Sequence, residues 1–204
     1  MKARSPACSI EPVCNLYQLE KSVDAVRRLF ADLQIPLTFP EGIPNFQRRD
    51  VRISEQAPII RWSRAGDGAE LVERRWSWPA PGSTKPVFNL RSDGREFGKD
   101  RCLVLADSFY EFTAPDDPKQ KKKDRWRFRP DGDFTIAGIV RADPQAGEAF
   151  TLLTVPPGAD IAPYHNRQIA LLRPPQWRGW LNGSVKSTEL LTPCAEGSLH
   201  VEAA

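Results

Sequence analysis

The sequence predicts an α+β fold, with a mostly antiparallel, barrel-like sheet core and short flanking helices. Three observations support this. Between residues 57 and 155 the chain is a series of short runs rich in β-branched and aromatic residues, separated by Pro, Gly and Asp. Nineteen prolines against thirteen glycines favour short strands and defined loops over long helices. Two stretches have the features of a helix.

The predicted elements follow in chain order. The first helix is expected over residues 18–34, where apolar residues recur at helical spacing and charged residues lie opposite. Pro36 ends it, and a proline-rich loop is expected over residues 36–50. The second helix is expected over 174–181, with proline in its first turn. Seven strands are predicted between them, over residues 57–62, 70–76, 101–106, 108–113, 125–129, 133–140 and 149–155.

A chain of 204 residues fits one domain, which we place at residues 14–192. Residues 1–13 are expected to be a disordered extension or a wrongly assigned start, and 193–204 a C-terminal tail. The first residues lack the apolar core of a secretory signal, and no apolar run approaches membrane-spanning length. We therefore expect a cytoplasmic protein that contacts no membrane.

Four cysteines without CxxC spacing and only two histidines argue against a structural zinc site and a disulfide framework. We expect no metal and no cofactor. A net charge of +3 does not by itself indicate a nucleic-acid partner. Nothing in the sequence points beyond a monomer.

Four segments place a reactive polar residue among apolar neighbours. These residues are Cys14, Asn89, Glu111 and His165. Singly, each has an ordinary structural explanation: a buried inert cysteine, a turn asparagine, a paired glutamate, a surface histidine. Together they provide a nucleophile, an orienting amide, a base and a proton shuttle, which is sufficient for covalent catalysis.

The same segments resemble the SOS response-associated peptidase (SRAP) family of abasic-site processing proteins. The blocks that carry the resemblance are CNLY at 14–17, FNLRS at 88–92, RCLVLADSFYEF at 101–112 and PYHNRQIALL at 163–172. The third block is the most specific. The resemblance runs from Cys14 to about residue 181, and the order and spacing of all four blocks support it.

The resemblance implies a covalent reaction with single-stranded DNA that carries an abasic site. Cys14, exposed as the first residue, would form a Schiff base through its α-amine and then close a thiazolidine through its thiol. Asn89 would position Cys14 and the sugar, Glu111 would transfer protons at the α-amine, and His165 would open the deoxyribose. Arg91 would hold a phosphate, to which a guanidinium is well suited.

The α-amine explains why this cysteine must be terminal. Its pKa near 7.7–8 leaves on the order of a tenth neutral at pH 7, whereas an amide nitrogen cannot form an imine. Thirteen residues precede Cys14 here. Three explanations stay open: translation from codon 13, read as Val13 but able to initiate as GTG; self-cleavage between Val13 and Cys14; or a copy inactive in crosslinking.

The chain departs from the family pattern at three places beside these residues, the mildest of which is Leu90 where an alanine is commoner. Asn15 and Leu16 stand where many members have Gly-Arg, so the arginine contact expected there is absent. Asn166 follows His165 where many members have an aspartate.

Further DNA contacts are predicted in two regions. Arg74 and Arg75 are candidate phosphate contacts, and Trp76 and Trp78 could either stack on a base or belong to the core. Arg167 is a further candidate, close to His165. The basic run at 119–129 could be a solvated hairpin tip or a phosphate-contacting edge, and we expect its aromatic residues to face the core.

Two other functions fit the same residues. A cysteine peptidase or hydrolase could use Cys14 and His165, with Glu111 or Asn89 in support, and an internal cysteine would then be no obstacle. A single-stranded DNA-binding module without chemistry would need only the basic and aromatic residues.

Overall fold

The computed structural model describes residues 13–98, 100–115, 117 and 119–204. Residues 1–12, for which we predict a disordered extension, lie outside the described residues. The helices are α1 (Val23–Asp32), α2 (Pro174–Leu181) and α3 (Ser187–Leu190). The strands are β1 (Leu16–Leu19), β2 (Leu37–Thr38), β3 (Arg49–Arg52), β4 (Gln56–Trp62), β5 (Ala69–Trp76), β6 (Trp78–Pro79), β7 (Pro86–Val87), β8 (Asn89–Arg91), β9 (Arg101–Leu105), β10 (Ser108–Thr113), β11 (Asp124–Pro130), β12 (Thr135–Asp143), β13 (Gly147–Val155), β14 (Gln168–Ile169), β15 (Leu171–Leu172) and β16 (Leu199–Ala203).

A closed barrel of five strands forms the centre of the fold. Its strands follow the order β5-β4-β9-β12-β13, antiparallel throughout, and a short parallel pairing of β13 with β5 closes it. Strand β8 adds to β13 in parallel, and β14 pairs with the end of β13. Apolar side chains such as Ile60, Leu103 and Leu152 are fully buried in the core. The predicted α+β class with a mostly antiparallel, barrel-like core is therefore confirmed.

A second sheet carries the N-terminal segment. Its order is β16-β11-β10-β1-β3, with every pairing antiparallel. Strand β1 is paired on both sides, with β10 and β3, and the residues just before it, Val13 and Cys14, are packed into the core. The segment predicted as a C-terminal tail contains β16, which pairs with β11 from Leu199 to Ala203.

Two local predictions differ from the structure. The helix expected over 18–34 is shorter, because its first residues belong to β1 and Ser22 caps α1 by accepting a hydrogen bond from the backbone N–H of Ala25. Leu19 is therefore a strand residue that is fully buried. The expected loop over 36–50 contains β2 and the beginning of β3.

The remaining predicted elements are present. Each of the seven predicted strands is found, with its ends moved by no more than three residues, and the helix over 174–181 has the predicted bounds. Among the described residues, no helix is long and apolar enough to cross a membrane.

Candidate active site

Cys14 lies in the turn before β1 with its side chain fully buried. Its backbone has φ 34°, which non-glycine residues rarely adopt and which costs on the order of 1–3 kcal/mol. This conformation aims the backbone N–H at the buried carboxyl of Glu111, with 3.1 Å between the nitrogen and Oε1. The thiol donates a hydrogen bond to the carbonyl oxygen of Leu16 at 3.4 Å. Both groups needed for a thiazolidine therefore lie within the site.

Glu111 is a carboxyl group buried in the middle of β10. Burial raises its pKa from 4.5 to about 8, although the hydrogen bond from the Cys14 N–H opposes the shift. Burial also raises the pKa of the Cys14 thiol, and the neighbouring Glu111 adds to this. With the chain intact before Cys14, the site therefore favours a neutral thiol and a carboxyl group able to hold a proton near neutral pH.

Asn89 contacts the peptide bond that precedes Cys14. Strand β8 places it opposite Leu152 of β13. Its side-chain amide donates a short hydrogen bond to the carbonyl oxygen of Val13 and a longer one, at 3.5 Å, to the carbonyl oxygen of Cys14. Its Oδ1 is buried and has no hydrogen-bond partner among the described residues. A carbonyl oxygen held by such a donor is polarised, as in an oxyanion hole.

His165 lies in the turn that precedes β14 and is half-buried. Its Nδ1 lies 3.0 Å from the backbone nitrogen of Arg167 and 3.1 Å from the carbonyl oxygen of the same residue, so the backbone of Arg167 holds the ring through this nitrogen. The preceding residue, Tyr164, packs on the ring of Trp126, and Trp126 is the cross-strand partner of Glu111. The His165 turn is thereby fixed beside the sheet that carries Glu111.

The structure thus brings three of the four predicted catalytic residues into direct contact around the Val13–Cys14 peptide. Cys14, Asn89 and Glu111 are joined by hydrogen bonds across separations of 75 and 97 residues. His165 is linked to them through the packing of Tyr164. Their catalytic roles stay predictions.

Two of the predicted DNA-contacting arginines lie near this site. Arg91 is exposed and two residues from Asn89 on β8, so both side chains project from the same face of the strand. Arg167 is buried and engaged: it forms an ion pair with Asp93 at 2.7 Å and donates to the carbonyl oxygen of Thr154 at 2.7 Å. Arg91 is therefore open to a phosphate, whereas Arg167 holds the His165 turn against the loop after β8.

The other predicted DNA contacts are occupied within the protein. Arg74 forms ion pairs with Glu41 and Glu148, and 13% of its side chain is exposed. Arg75 is half-buried and donates to the carbonyl oxygen of Ser54 at 3.1 Å. Neither is arranged as an open phosphate contact.

The base-stacking interpretation of Trp76 and Trp78 is corrected by their burial. Trp76 is fully buried, donates from Nε1 to the carbonyl oxygen of Phe88 at 2.9 Å and packs on Tyr17. Trp78 is 2% exposed, and the guanidinium of Arg141 lies over its ring. Both are core residues, which is the alternative reading of their sequence, and neither offers a ring face to a base.

The sequence analysis missed several contributors to the site. The Val13 carbonyl and Asp93 have no distinguishing sequence signal, because their roles come from contacts with Asn89 and Arg167 far along the chain. Tyr164 did have one, since it directly precedes His165 in the block at 163–172.

Comparison with known protein families identifies the family of this chain. Residues 13–203 match the family model described as SOS response associated peptidase (SRAP). The chain belongs to this family, which confirms the resemblance. Membership associates the protein with the response to DNA damage, and the family is named for a peptidase activity.

Solved structures with the same fold include three proteins from two bacteria. A protein from Bordetella bronchiseptica is 21% identical with a TM-score of 0.67, and the match covers 94% of this chain and 99% of that one. A phage-related protein from the same organism is 17% identical with a TM-score of 0.69, covering 94% of each chain. A protein from Bacteroides thetaiotaomicron is 21% identical with a TM-score of 0.67, covering 92% and 91%. At these identities the likeness concerns the fold. No curated protein matches the chain.

Proposed function

We propose that this protein binds single-stranded DNA and links itself covalently to abasic sites through the α-amine and thiol of Cys14. The observation that carries the proposal is the contact between the Cys14 nitrogen and the buried Glu111 carboxyl, at 3.1 Å. A carboxyl group that is hydrogen-bonded to this nitrogen is positioned to transfer a proton to or from it. We expect the protein to act as a monomer in the cytoplasm.

The reaction requires Cys14 to be the first residue of the working protein. Translation from codon 13 followed by removal of methionine is one route. Self-cleavage is the other, and the geometry favours it in specific ways. The Cys14 thiol would attack the Val13 carbonyl carbon, Asn89 would stabilise the developing oxyanion, and the strained backbone at Cys14 would relax.

In this self-cleavage the C–N bond between Val13 and Cys14 breaks as the C–S bond forms. The leaving nitrogen takes a proton from Glu111, which holds one because its pKa is raised to about 8, and the proton of the Cys14 thiol then replaces it on Glu111. Water then hydrolyses the thioester, which leaves a carboxylate on Val13 and restores the Cys14 thiol. The product has a free α-amine beside Glu111.

The crosslinking steps use the same groups, but Glu111 now accepts a proton instead of donating one. A free α-ammonium beside Glu111 favours the carboxylate, which can take a proton and leave a neutral amine. The amine attacks the aldehyde carbon of the ring-opened sugar, and loss of water gives an imine. Addition of the thiol S–H across the C=N bond closes the thiazolidine. His165 would transfer the proton that opens the sugar ring.

A peptidase acting on other proteins is less well supported by the site. The Cys14 thiol is fully buried, whereas the cysteine nucleophile of a peptidase that acts on other proteins must be accessible to its substrate. The same thiol is adjacent to the Val13 carbonyl, so attack within the chain requires no access from outside. The peptidase activity in the family name is therefore assigned here to self-cleavage.

The test compares the 204-residue chain with a chain that begins Met-Cys14. Each is incubated with a single-stranded oligonucleotide carrying one abasic site, and covalent product is read on a denaturing gel. Intact mass shows whether residues 1–13 have been lost. Cys14→Ala should abolish the product in both chains, and Cys194→Ala, which removes another cysteine that is not fully buried, should not.

Each outcome decides between explanations. Product from the short chain alone supports the chemistry and a start at codon 13. Product from both, with residues 1–13 missing from the long chain, supports self-cleavage. If neither chain forms product that survives denaturation, and borohydride traps no imine, the proposal is wrong.

A further inference from the structure

A pair of partly exposed aromatic rings adjoins the site. The ring centroids of Trp126 and Tyr164 lie 4.9 Å apart, with an angle of 56° between the planes, and both residues are half-buried. Trp126 stands directly opposite Glu111 in the β10–β11 pairing, so the two side chains leave the same face of the sheet about 5 Å apart. Tyr164 immediately precedes His165. The pair therefore lies between two of the predicted catalytic residues.

The orientation of both rings is fixed by contacts with neighbouring side chains of the protein. Trp126 donates a hydrogen bond from Nε1 to the hydroxyl of Thr113 at 2.9 Å. Tyr164 rests edge-on against Phe128 with 5.2 Å between centroids, and Phe128 stacks on Phe109 at 5.3 Å. Because Phe128 is fully buried, the aromatic pair is anchored to the core, and a preorganised pair has less side-chain entropy to lose on binding.

We propose that Trp126 and Tyr164 form a stacking platform for the nucleobase next to the abasic site. This inference rests on the proposed function and identifies how the lesion is placed. An abasic site has no base of its own to stack, so any stacking contact that helps to place its sugar must come from a neighbouring base. An aromatic face that receives the adjacent base would bring the sugar against Glu111, His165 and Cys14.

Base–aromatic stacking tolerates any base, because every base has a π-face. The platform would therefore hold lesions in any sequence context and favour single strands, in which bases are free to leave their neighbours. Trp62 is the other tryptophan that is half-buried, but it borders a different cavity, with Arg61 and Asn182, that none of the predicted catalytic residues lines. It serves as a matched control.

The test measures the affinity of the full chain for an oligonucleotide carrying a tetrahydrofuran residue, which mimics the lesion but has no aldehyde. Fluorescence anisotropy of a labelled strand gives the dissociation constant. Trp126→Ala and Tyr164→Ala should each weaken binding by about 5- to 100-fold. Trp126→Phe should retain most of the affinity, and Trp62→Ala all of it.

A second oligonucleotide locates the stacked base. In it, the nucleotides on both sides of the tetrahydrofuran also lack bases. The parent protein should bind this second strand more weakly than the first, by about the factor by which Trp126→Ala weakens binding to the first strand. Trp126→Ala should bind the two strands with equal affinity. If Trp126→Ala weakens binding to both strands equally, or if Trp126→Phe behaves like Trp126→Ala, the platform does not exist.

These measurements are independent of the crosslink. The tetrahydrofuran strand cannot form an imine, so a protein with no crosslinking activity can still show the stacking pattern. Absence of crosslinking with the pattern present would refute the proposed chemistry and leave the platform standing. Crosslinking with no such pattern would refute the platform alone.

Discussion

At the scale of single residues, the site depends on a carboxyl group whose surroundings change with its partner. In the intact chain Glu111 faces a neutral peptide N–H, and burial keeps its proton bound to about pH 8. After release of Cys14 it would face an ammonium group, which favours the charged form. One residue can thus act first as a proton donor and then as a base.

The raised pKa of Glu111 predicts how stability depends on pH while the Val13–Cys14 bond is intact. The folded chain keeps this proton up to about pH 8, whereas the unfolded chain releases it near 4.5. The free energy of unfolding should therefore fall as pH rises from about 4.5 to 8 and level off above that, by on the order of a few kcal/mol. Urea denaturation across this range measures the slope.

Glu111→Gln should remove that slope while its amide oxygen still accepts from the Cys14 N–H. Glu73→Gln, at an exposed position on β5, should keep it. A Glu111→Gln protein with the parent slope would show that Glu111 is charged in the folded chain.

A second residue-scale prediction concerns Asn89. Asn89→Ala removes the donor to the Val13 carbonyl oxygen, and loss of one such donor typically slows acyl chemistry about 100- to 1,000-fold. The rate at which the full chain loses residues 1–13, followed by intact mass, should fall to this extent. Asn45→Ala, in an exposed loop, should leave the rate unchanged. Equal rates for the two variants would assign Asn89 a structural role.

At the scale of elements, one carboxylate holds the N-terminal segment in place. Asp107, between β9 and β10, accepts hydrogen bonds from the backbone N–H of Glu20 at 2.5 Å and of Lys21 at 3.0 Å, and it pairs with the Lys21 ammonium at 2.5 Å. These contacts fix the junction of β1 and α1 against the strand that carries Glu111. They thereby set the register in which Cys14 meets Glu111.

Asp107→Ala should destabilise the fold by about 1–3 kcal/mol, because two backbone donors lose their acceptor and the Lys21 ammonium keeps only its ion pair with Asp133. The free energy of unfolding from chemical denaturation measures this. Asp67→Ala, in the exposed turn between β4 and β5, should change it by less than about 0.5 kcal/mol. If the two variants are equally stable, the junction is held by strand pairing alone.

The sequence predicts elements whose signals are local. The helix over 174–181 has proline at its start, and the strand over 108–113 is a compact aromatic run, so both have the predicted bounds. The predicted helix includes the last two residues of β1, because Leu19 continues the helical spacing of Val23 and Val26. Only the pairing of β1 with β3 and β10, which lie far along the chain, makes it a strand.

The same distinction applies to the candidate site. Cys14, Asn89 and Glu111 could be selected from sequence because each is polar within an apolar segment, and the family resemblance orders them. The sequence could not predict which tryptophans are exposed, because Trp76 is buried only when β5 and β13 pair and close the barrel. That pairing joins residues some seventy positions apart and has no local signal.

At the scale of the whole molecule, positive charge is concentrated beyond the site. The turn between β10 and β11 carries Lys121, Lys122 and Lys123, all exposed, along a groove of about 850 Å³ that also includes Phe112 and Arg125. Strand β16 pairs with β11 and holds this hairpin against the sheet. Several arginines elsewhere are paired with carboxylates, as in the network of Arg61 and Arg74 with Glu148. A nucleic-acid backbone leaving the site would therefore meet its main attraction at this hairpin.

Replacing Lys121, Lys122 and Lys123 together by Gln should weaken single-stranded DNA binding and reduce its salt dependence. Each phosphate contact on a single strand contributes about −0.7 to the slope of log K against log salt, so three contacts contribute about −2. Titration of an undamaged oligonucleotide at several salt concentrations measures the slope. The matched control replaces Arg28, Lys85 and Lys186, three exposed cations on other surfaces, by Gln. It lowers the net charge equally, so a slope that changes alike in both proteins would show a general charge effect, whereas a change confined to the hairpin variant assigns the phosphate contacts to that groove.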